Sequence, residues 1–474
     1  FPKARRLAGN PRPRLMGYDA GAYEVQGDET VADVWTWYGS DYTMDGDVGG
    51  AHWRKMSYGA PYVVPAGENV RITDRVGYQT ATLSVKSNST FGNVTFANTN
   101  TDLRIADAGG TWDIESLANK TSAGALTLAA KMNIWSAFAQ GGTGRLNIEP
   151  GAAVTIGGTF TIENTSAVTQ TGGSLTVPSG NNTQMWNWST YTIKDGVFNF
   201  GNDIYIHNNS SMVVEGGEVN GGRISVAQGD RTALFIEGGT VNVTRIETGD
   251  TSGARYGNVL QTGGIVNVTG SGSGKQAPLH ISHWPGSSTY TLRGGELNVR
   301  NGEVRLGQDG NGTLRLEGGI ARLKSVAISN GRVQLAGGTY EAPEAGVTLQ
   351  ATAVEGTTST IKSYPDGDPA RALTLELSGS GTVNLPEGSY RGTITGPHVM
   401  LGEKVWFYGT IDHSAGEKTL TLPGHTYANI QGTYKPGQIA LSSEPPSGVR
   451  TAILGVTDFT ATTNFTTADI TLVG

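Results

Sequence analysis

Residues 292–340 read LRGGELNVRNGEVRLGQDGNGTLRLEGGIARLKSVAISNGRVQLAGGTY. Three Gly-Gly pairs interrupt the stretch, ending at Gly295, Gly319 and Gly338. Counted from each second glycine, positions +2 and +4 are Leu297 and Val299, Ala321 and Leu323, Tyr340 and Ala342. That alternation is the signature of a strand with one buried face. The same pattern follows Gly110, Gly158, Gly173, Gly217, Gly239 and Gly264. From Gly217 onward the second glycines are spaced 22, 25, 31, 24 and 19 apart. Periods of about 20–30 residues point to stacked coils. Between successive pairs lie three short strands, as in ELNV, GEVRLGQ and GTLRLE. The expected fold is therefore all-β: a three-sided parallel β-helix (β-solenoid), with the right-handed crossovers that parallel strands favour. Each Gly-Gly pair would mark a corner needing positive φ and close approach of the coil below. The competing reading makes Gly-Gly a hairpin turn in an antiparallel meander. The third strand in each interval counts against it.

Composition narrows the function classes. The chain has 474 residues, 70 of them Gly and none Cys, with a formal net charge of −7. The acidic balance disfavours nucleic acid, whose phosphates call for clustered Lys and Arg. Without cysteine there is no disulfide, thiol nucleophile or thiolate metal site. No apolar run of about 18 residues suggests a membrane-spanning helix. A body over residues 60–440 at about 22 residues per coil would give about 17 coils and a rod roughly 80 Å long. The expected organisation is an extended N-terminal segment over 1–30, then an aromatic-rich cap and lead-in over 31–75. A parallel β-helix body follows over 76–440, then a C-terminal β segment over 441–474 that could donate a strand to a neighbour's open edge.

Three stretches carry a resemblance. VTQTGGSLTV (168–177), VLQTGGIVNVTGSG (259–272) and LGQDGNGTLRLEGG (306–319) resemble the repeats of bacterial autotransporter-associated surface proteins. VWTWYGSDYTMDGDVGGAHWRKMSYGAPYVVPAGENVRI (34–72) looks like the opening of such passengers, with Trp37, Trp53, Pro65, Gly67, Val70 and Ile72 in the matching places. LAGNPRPRLMGYDAGAYEVQ (7–26) is similar to the tail that closes many right-handed β-helix domains, although Arg6 stands where Asp is common. On that likeness Phe1 follows a cleavage in a larger precursor, or an upstream part is unseen. The resemblance implies a bacterial, secreted or cell-surface location and no enzyme activity. It names no ligand.

The candidate functional residues follow from the repeat. Position +3 is Asn220, Asn242, Asn267 and Asn298 in four successive coils, flanked by inward residues and so outward-facing. Stacked Asn amides form hydrogen-bonded ladders, which would either stiffen the coil or offer a flat docking surface. Trp186 and Trp188 are expected to share one face of a strand, as a sugar platform or contact if outward and as core if inward. Trp37 and Trp53 are the expected cap. Catalysis by paired carboxylates finds only scattered candidates, Asp195, Asp203, Glu215 and Glu237. Glu215, Glu237 and Glu317 share a register and read as a solvated face. His280 and His283 are three apart, which on a strand puts them on opposite faces, wrong for one metal. GQDGNG (307–312) and MDGDVGG (44–50) read as turns rather than calcium loops. No catalytic, cofactor or metal residues are expected. The reading is a non-enzymatic extracellular subunit that assembles with itself through its tails and solenoid ends into a fibre, sheath or surface layer. An adhesin binding glycan or a cell-surface ligand is the alternative, and a polysaccharide lyase or glycoside hydrolase comes after both.

Overall fold

The computed structural model describes residues 35–37, 46–54, 63–72, 80–97, 102–120, 124–227, 229, 232–249, 256–364, 369–402, 404–414, 418–422, 428–435, 438–441, 451–459 and 470–473. The segment 1–30 lies outside them. The chain is a parallel β-solenoid of about 14 turns, 65% strand and 1% helix.

Three sheets run along the body. The first carries Arg145–Ile148, Ser211–Val214, Ala233–Ile236 and Asn258–Gln261, and the second Glu218–Gly221, Thr240–Val243 and Ile265–Val268. The third carries Phe160–Ile162, Thr183–Met185 and Arg223–Val226. Pairing is parallel and in like register, so Val219, Val241, Val266 and Leu297 lie one above another in the core. One hydrophobic cluster extends from Trp37 to Leu422. Each fully buried Leu, Ile or Val side chain contributes about 1.5–3 kcal/mol. Coils at about 4.8 Å spacing let neighbouring side chains share those contacts.

The Gly-Gly corners have two separate causes. At Gly238 a Cβ would stand 2.2 Å from the Glu215 carbonyl oxygen of the coil below, so no side chain fits. Gly239 has φ +65°, in the left-handed region. In the pairs ending at Gly173, Gly217, Gly239, Gly264, Gly295 and Gly319 the first glycine permits close approach and the second turns the corner. In Gly109-Gly110 and Gly337-Gly338 the first carries the positive φ, and in Gly157-Gly158 neither does, so the expectation of positive φ does not hold at every pair. Gln170 and Gln261, in the two QTGG copies, are buried beside such corners. Each accepts from a tyrosine one coil on, Tyr191 at 2.6 Å and Tyr290 at 2.7 Å. Each also donates to a backbone carbonyl across the corner, that of Val197 or Glu296. The repeat that resembles surface proteins is thus, in this chain, a way of satisfying polar groups inside a corner.

The three-sided coil does not persist throughout. Ser325–Ile328 is the last strand of the third sheet among the described residues. Beyond it each turn uses two strands, for example Gly388–Thr395 and His398–Leu401. The first strand of such a turn bends at Gly392 and Gly409, with φ +104° and +146°. Arg391 reaches its neighbour Thr374 across 17 residues, where the three-sided Asn242–Asn220 step takes 22. An open cleft of about 300 Å³ occupies the step, lined by Ile328, Val333, Leu377 and Thr393.

At the N-terminal end Trp37 and Trp53 are buried, paired antiparallel and packed edge-to-face at 4.8 Å. Phe91 and Trp112 continue this stack into the body at 5.3 and 5.7 Å. At the other end Thr451–Phe459 pairs with Ala428–Lys435, and Ile470–Val473 with Thr451–Leu454, both in parallel. These strands extend the chain's own stack instead of standing free.

Two stability predictions follow. Gly264→Ala meets φ +65° and the Gly238 oxygen at 2.5 Å, costing about 2–4 kcal/mol. Gly356→Ala has φ +73° but nothing within 4 Å and costs about 1–2 kcal/mol. Thermal melts of the two variants should therefore differ, with Gly264→Ala the lower. Buried His413 has its pKa lowered from 6.5 to about 4 by burial, with His398 and Lys418 adding repulsion against Asp412 and the Pro397 backbone. Below pH 6.5 the unfolded chain takes a proton that the folded one refuses, so stability falls between pH 6.5 and 4, by about 3 kcal/mol. His413→Gln should flatten that part of a stability-versus-pH curve.

Candidate functional site

Side chains on the outside of a parallel stack repeat at the same place on every coil, so like residues make columns. On the second sheet Asn220 Nδ2 donates to Asn199 Oδ1 at 3.1 Å, and Asn242 to Asn220 at 3.0 Å. Asn267 donates to Asn242 at 2.8 Å and Asn298 to Asn267 at 3.0 Å. All donate in one direction. Arg322 closes the series by donating to Asn298 Oδ1 at 3.2 Å while pairing with Glu296 and Glu341. The ladder has one more rung than the Gly-Gly register reveals. Asn199 belongs to it, but its coil turns through Asp195-Gly196 rather than Gly-Gly.

A second, shorter ladder escaped sequence reading. Asn208 donates to Asn187 at 3.2 Å and Asn187 to Asn164 at 3.4 Å. All three have positive φ, a conformation Asn tolerates better than most residues. Their 21- and 23-residue separations, matching the repeat, were the available signal. This corner also separates Trp186 from Trp188. The strand ends at Met185 and the chain turns at Asn187 and Trp188, so the two indoles do not share a strand face. Trp186 stacks on His207 at 4.5 Å, whereas Trp188 is 50% exposed. Trp135 and Trp284 are also exposed, at 62% and 36%.

The scattered carboxylates take different places. Asp195 Oδ1 accepts from the Gly196 amide at 2.7 Å, a corner role. Glu215 pairs with Lys194 at 3.5 Å and Glu237 is exposed. Glu317 lies 2.6 Å from both Arg293 and Arg315, whose hydrogen bonds hold its carboxyl below the ordinary range. Asp47 serves a turn, accepting from the Gly49 amide. Asp203 belongs to a denser group.

That group lies on the outer face of the third sheet, where the repeat is least regular. Its columns run Asp203, Arg223, Arg245 and, beside them, Tyr205, Ser225, Glu247, His280, Arg305. Glu247 is fully buried, and its Oε2 meets Arg245 at 2.8 Å and Arg223 at 3.2 Å. Arg223 also bonds Asp203 at 3.0 Å. A buried carboxylate needs such partners. Glu247 Oε1 meets His283 Nδ1. His280, paired in register with Glu247 and 0% exposed, has neither ring nitrogen hydrogen-bonded. Burial, then repulsion from His283, Arg245 and Arg305, lowers its pKa to about 3 and keeps it neutral.

The expectation that His280 and His283 point apart is corrected here. The strand Leu279–Ile281 ends one residue after His280, and Ser282 takes φ +65°. That left-handed residue breaks the alternation and brings the imidazoles face to face at 4.4 Å. The Thr248 hydroxyl holds the bend by accepting the Ser282 amide at 2.9 Å. The GQDGNG turn seats the same bend: a Cβ on Gly310 would stand 2.2 Å from the Trp284 carbonyl oxygen. Glu247, His280 and His283 present ligand-type atoms that all lie within 4.8 Å of one another. A neighbouring open cleft of about 510 Å³ is lined by Asn202, Asp203, Arg223, Arg245 and Gln276. Arg245 reaches over to the short helix Gly274–Gln276, bonding Lys275 O at 2.6 Å.

No protein-family model, curated relative or solved structure matches the chain. The class defined by the fold is a parallel β-solenoid with an outward polar ladder. Among the described residues no helix is long and apolar enough to cross a membrane.

The ladder's contribution is measurable. Asn242→Ala removes two bonds made, to Asn220 and to Glu218 at 3.2 Å, and one received, on a half-buried face. It should cost about 1–2 kcal/mol. Loss of the same size at exposed Asn202, which makes a single bond to Asn182, would show that the ladder adds nothing special.

Proposed function

We propose that the chain is a non-enzymatic structural subunit of a bacterial extracellular assembly, related in kind to autotransporter-like surface proteins. The observation that carries this reading is the continuous stack. One core runs the length of the body, and Asn199, Asn220, Asn242, Asn267 and Asn298 tie five coils together side chain to side chain. Such a body resists bending and carries load along its axis through backbone ladders of many parallel strands. A solenoid end is an open set of strand edges and favours association with another copy. Self-association through ends and tails therefore suits it to a fibre, sheath or layer.

Adhesion to a glycan or cell-surface ligand is the second reading. The exposed indoles of Trp135, Trp188 and Trp284 favour it, since amphipathic aromatics suit sugar faces and interfaces.

Electron microscopy and light scattering of the purified chain distinguish the two. The structural reading expects rods longer than one subunit or ordered sheets, growing with concentration. Particles that stay monomeric while binding a glycan array through the exposed tryptophans would replace it with the adhesin reading.

A further inference from the structure

The geometry points to a divalent transition-metal site of the Zn²⁺ class formed by Glu247, His280 and His283. Two imidazoles and a carboxylate form a borderline-soft donor set suited to Zn²⁺ and Co²⁺ rather than Ca²⁺ or Mg²⁺.

The side chains come from two successive coils. Glu247 is the last residue but one of its strand, which ends at Thr248, His280 stacks on it in register, and His283 folds back from the corner at Ser282. Their donor atoms fall within 4.8 Å of one another. Independently, His280 is a fully buried imidazole with both nitrogens unpartnered, packed against Glu247 and His283. A buried polar ring without a hydrogen bond costs about 1–3 kcal/mol, and a metal bond would remove that cost. The carboxylate is held in place for the role: Arg223 and Arg245 occupy Oε2, leaving Oε1 toward the histidines. That resembles the supporting contacts that orient metal ligands in general.

Two features work against tight binding and set what the site must do. The arginines draw charge from Glu247, and Arg305 stands next to His280 in register. Arg223 is also matched by Asp203 and Arg305 by Glu303 at 3.6 Å, while Arg245 has Glu247 itself, so three arginines face three acids and the group is close to neutral before the ion enters. The imidazoles are also stacked, 22° from parallel, and parallel rings do not aim at a common point. His283 must turn about its χ2, exchanging its contact with Glu247 Oε1 for the metal. It is the more exposed of the two imidazoles and stacks beside Trp284. Three protein donors leave the remaining coordination to solvent.

The site also accounts for the repeat's irregularity. The two longest steps between ladder asparagines, 25 and 31 residues, are the Asn242–Asn267 and Asn267–Asn298 intervals. Glu247 falls in the first of these intervals, and His280 and His283 in the second.

The test uses the full chain stripped with EDTA and titrated with Zn²⁺ and with Co²⁺ by calorimetry, alongside thermal melts. The expected result is one equivalent of metal per chain and a raised melting temperature. His283→Ala should weaken binding by at least about 100-fold and abolish the thermal shift, while the distant control His398→Ala retains both. Absence of binding to the unmodified chain, or equal binding by His283→Ala, overturns the proposal. If His283→Ala does not fold, carbethoxylation of the unmodified chain mapped by mass spectrometry decides it. Zn²⁺ should protect His283, and unchanged labelling counts against the site.

Discussion

Everything in this molecule depends on one coil lying directly on the next at strand spacing, about 4.8 Å. At that distance each residue's nearest neighbour is the residue in the same register one turn away. Corners therefore cannot carry a side chain where backbones meet, as at Gly238, and must turn sharply where the next residue bends, as at Gly239. Inside, valine stacks on valine. Outside, asparagine stacks on asparagine, each amide donating to the one below.

The same constraint concentrates chemistry. A single polar residue on a coil is solvated, but the stack sets it against whatever stands above and below. Glu247 becomes a buried carboxylate because Arg223 and Arg245 share its neighbourhood and His280 covers it. The cluster thus belongs to no single strand. Its parts lie at similar registers on coils separated by loops of unequal length.

The change from three strands per turn to two beyond Ile328 follows from the same logic. A face continues only while each new coil supplies a strand for it. When Gly392 and Gly409 let one strand bend through the corner, a shorter turn closes the core and the third face receives no further strand among the described residues. The strand pattern of residues 348–395 reads from the sequence. The missing face does not, because alternation reports that a residue points inward without saying toward which sheet.

By itself the sequence determined the class of fold, the inward set and the main ladder. Leu297, Val299 and Asn298 carry their directions in simple alternation after Gly295, and alternation is a local property of extended backbone. It also located the corners marked by Gly-Gly, though not those built on Asp195-Gly196 or on Asn164, Asn187 and Asn208. What the tertiary structure alone decided is where alternation breaks and which coils become neighbours. Ser282 entered a left-handed bend that nothing in LHISHW announces, and so turned two histidines expected to diverge into a facing pair. Trp186 and Trp188 were parted by a similar bend at Asn187. Asn199 joined the ladder without its Gly-Gly marker. In each case the deciding contact comes from the coil above or below, some twenty or more residues away, where local pattern carries no information.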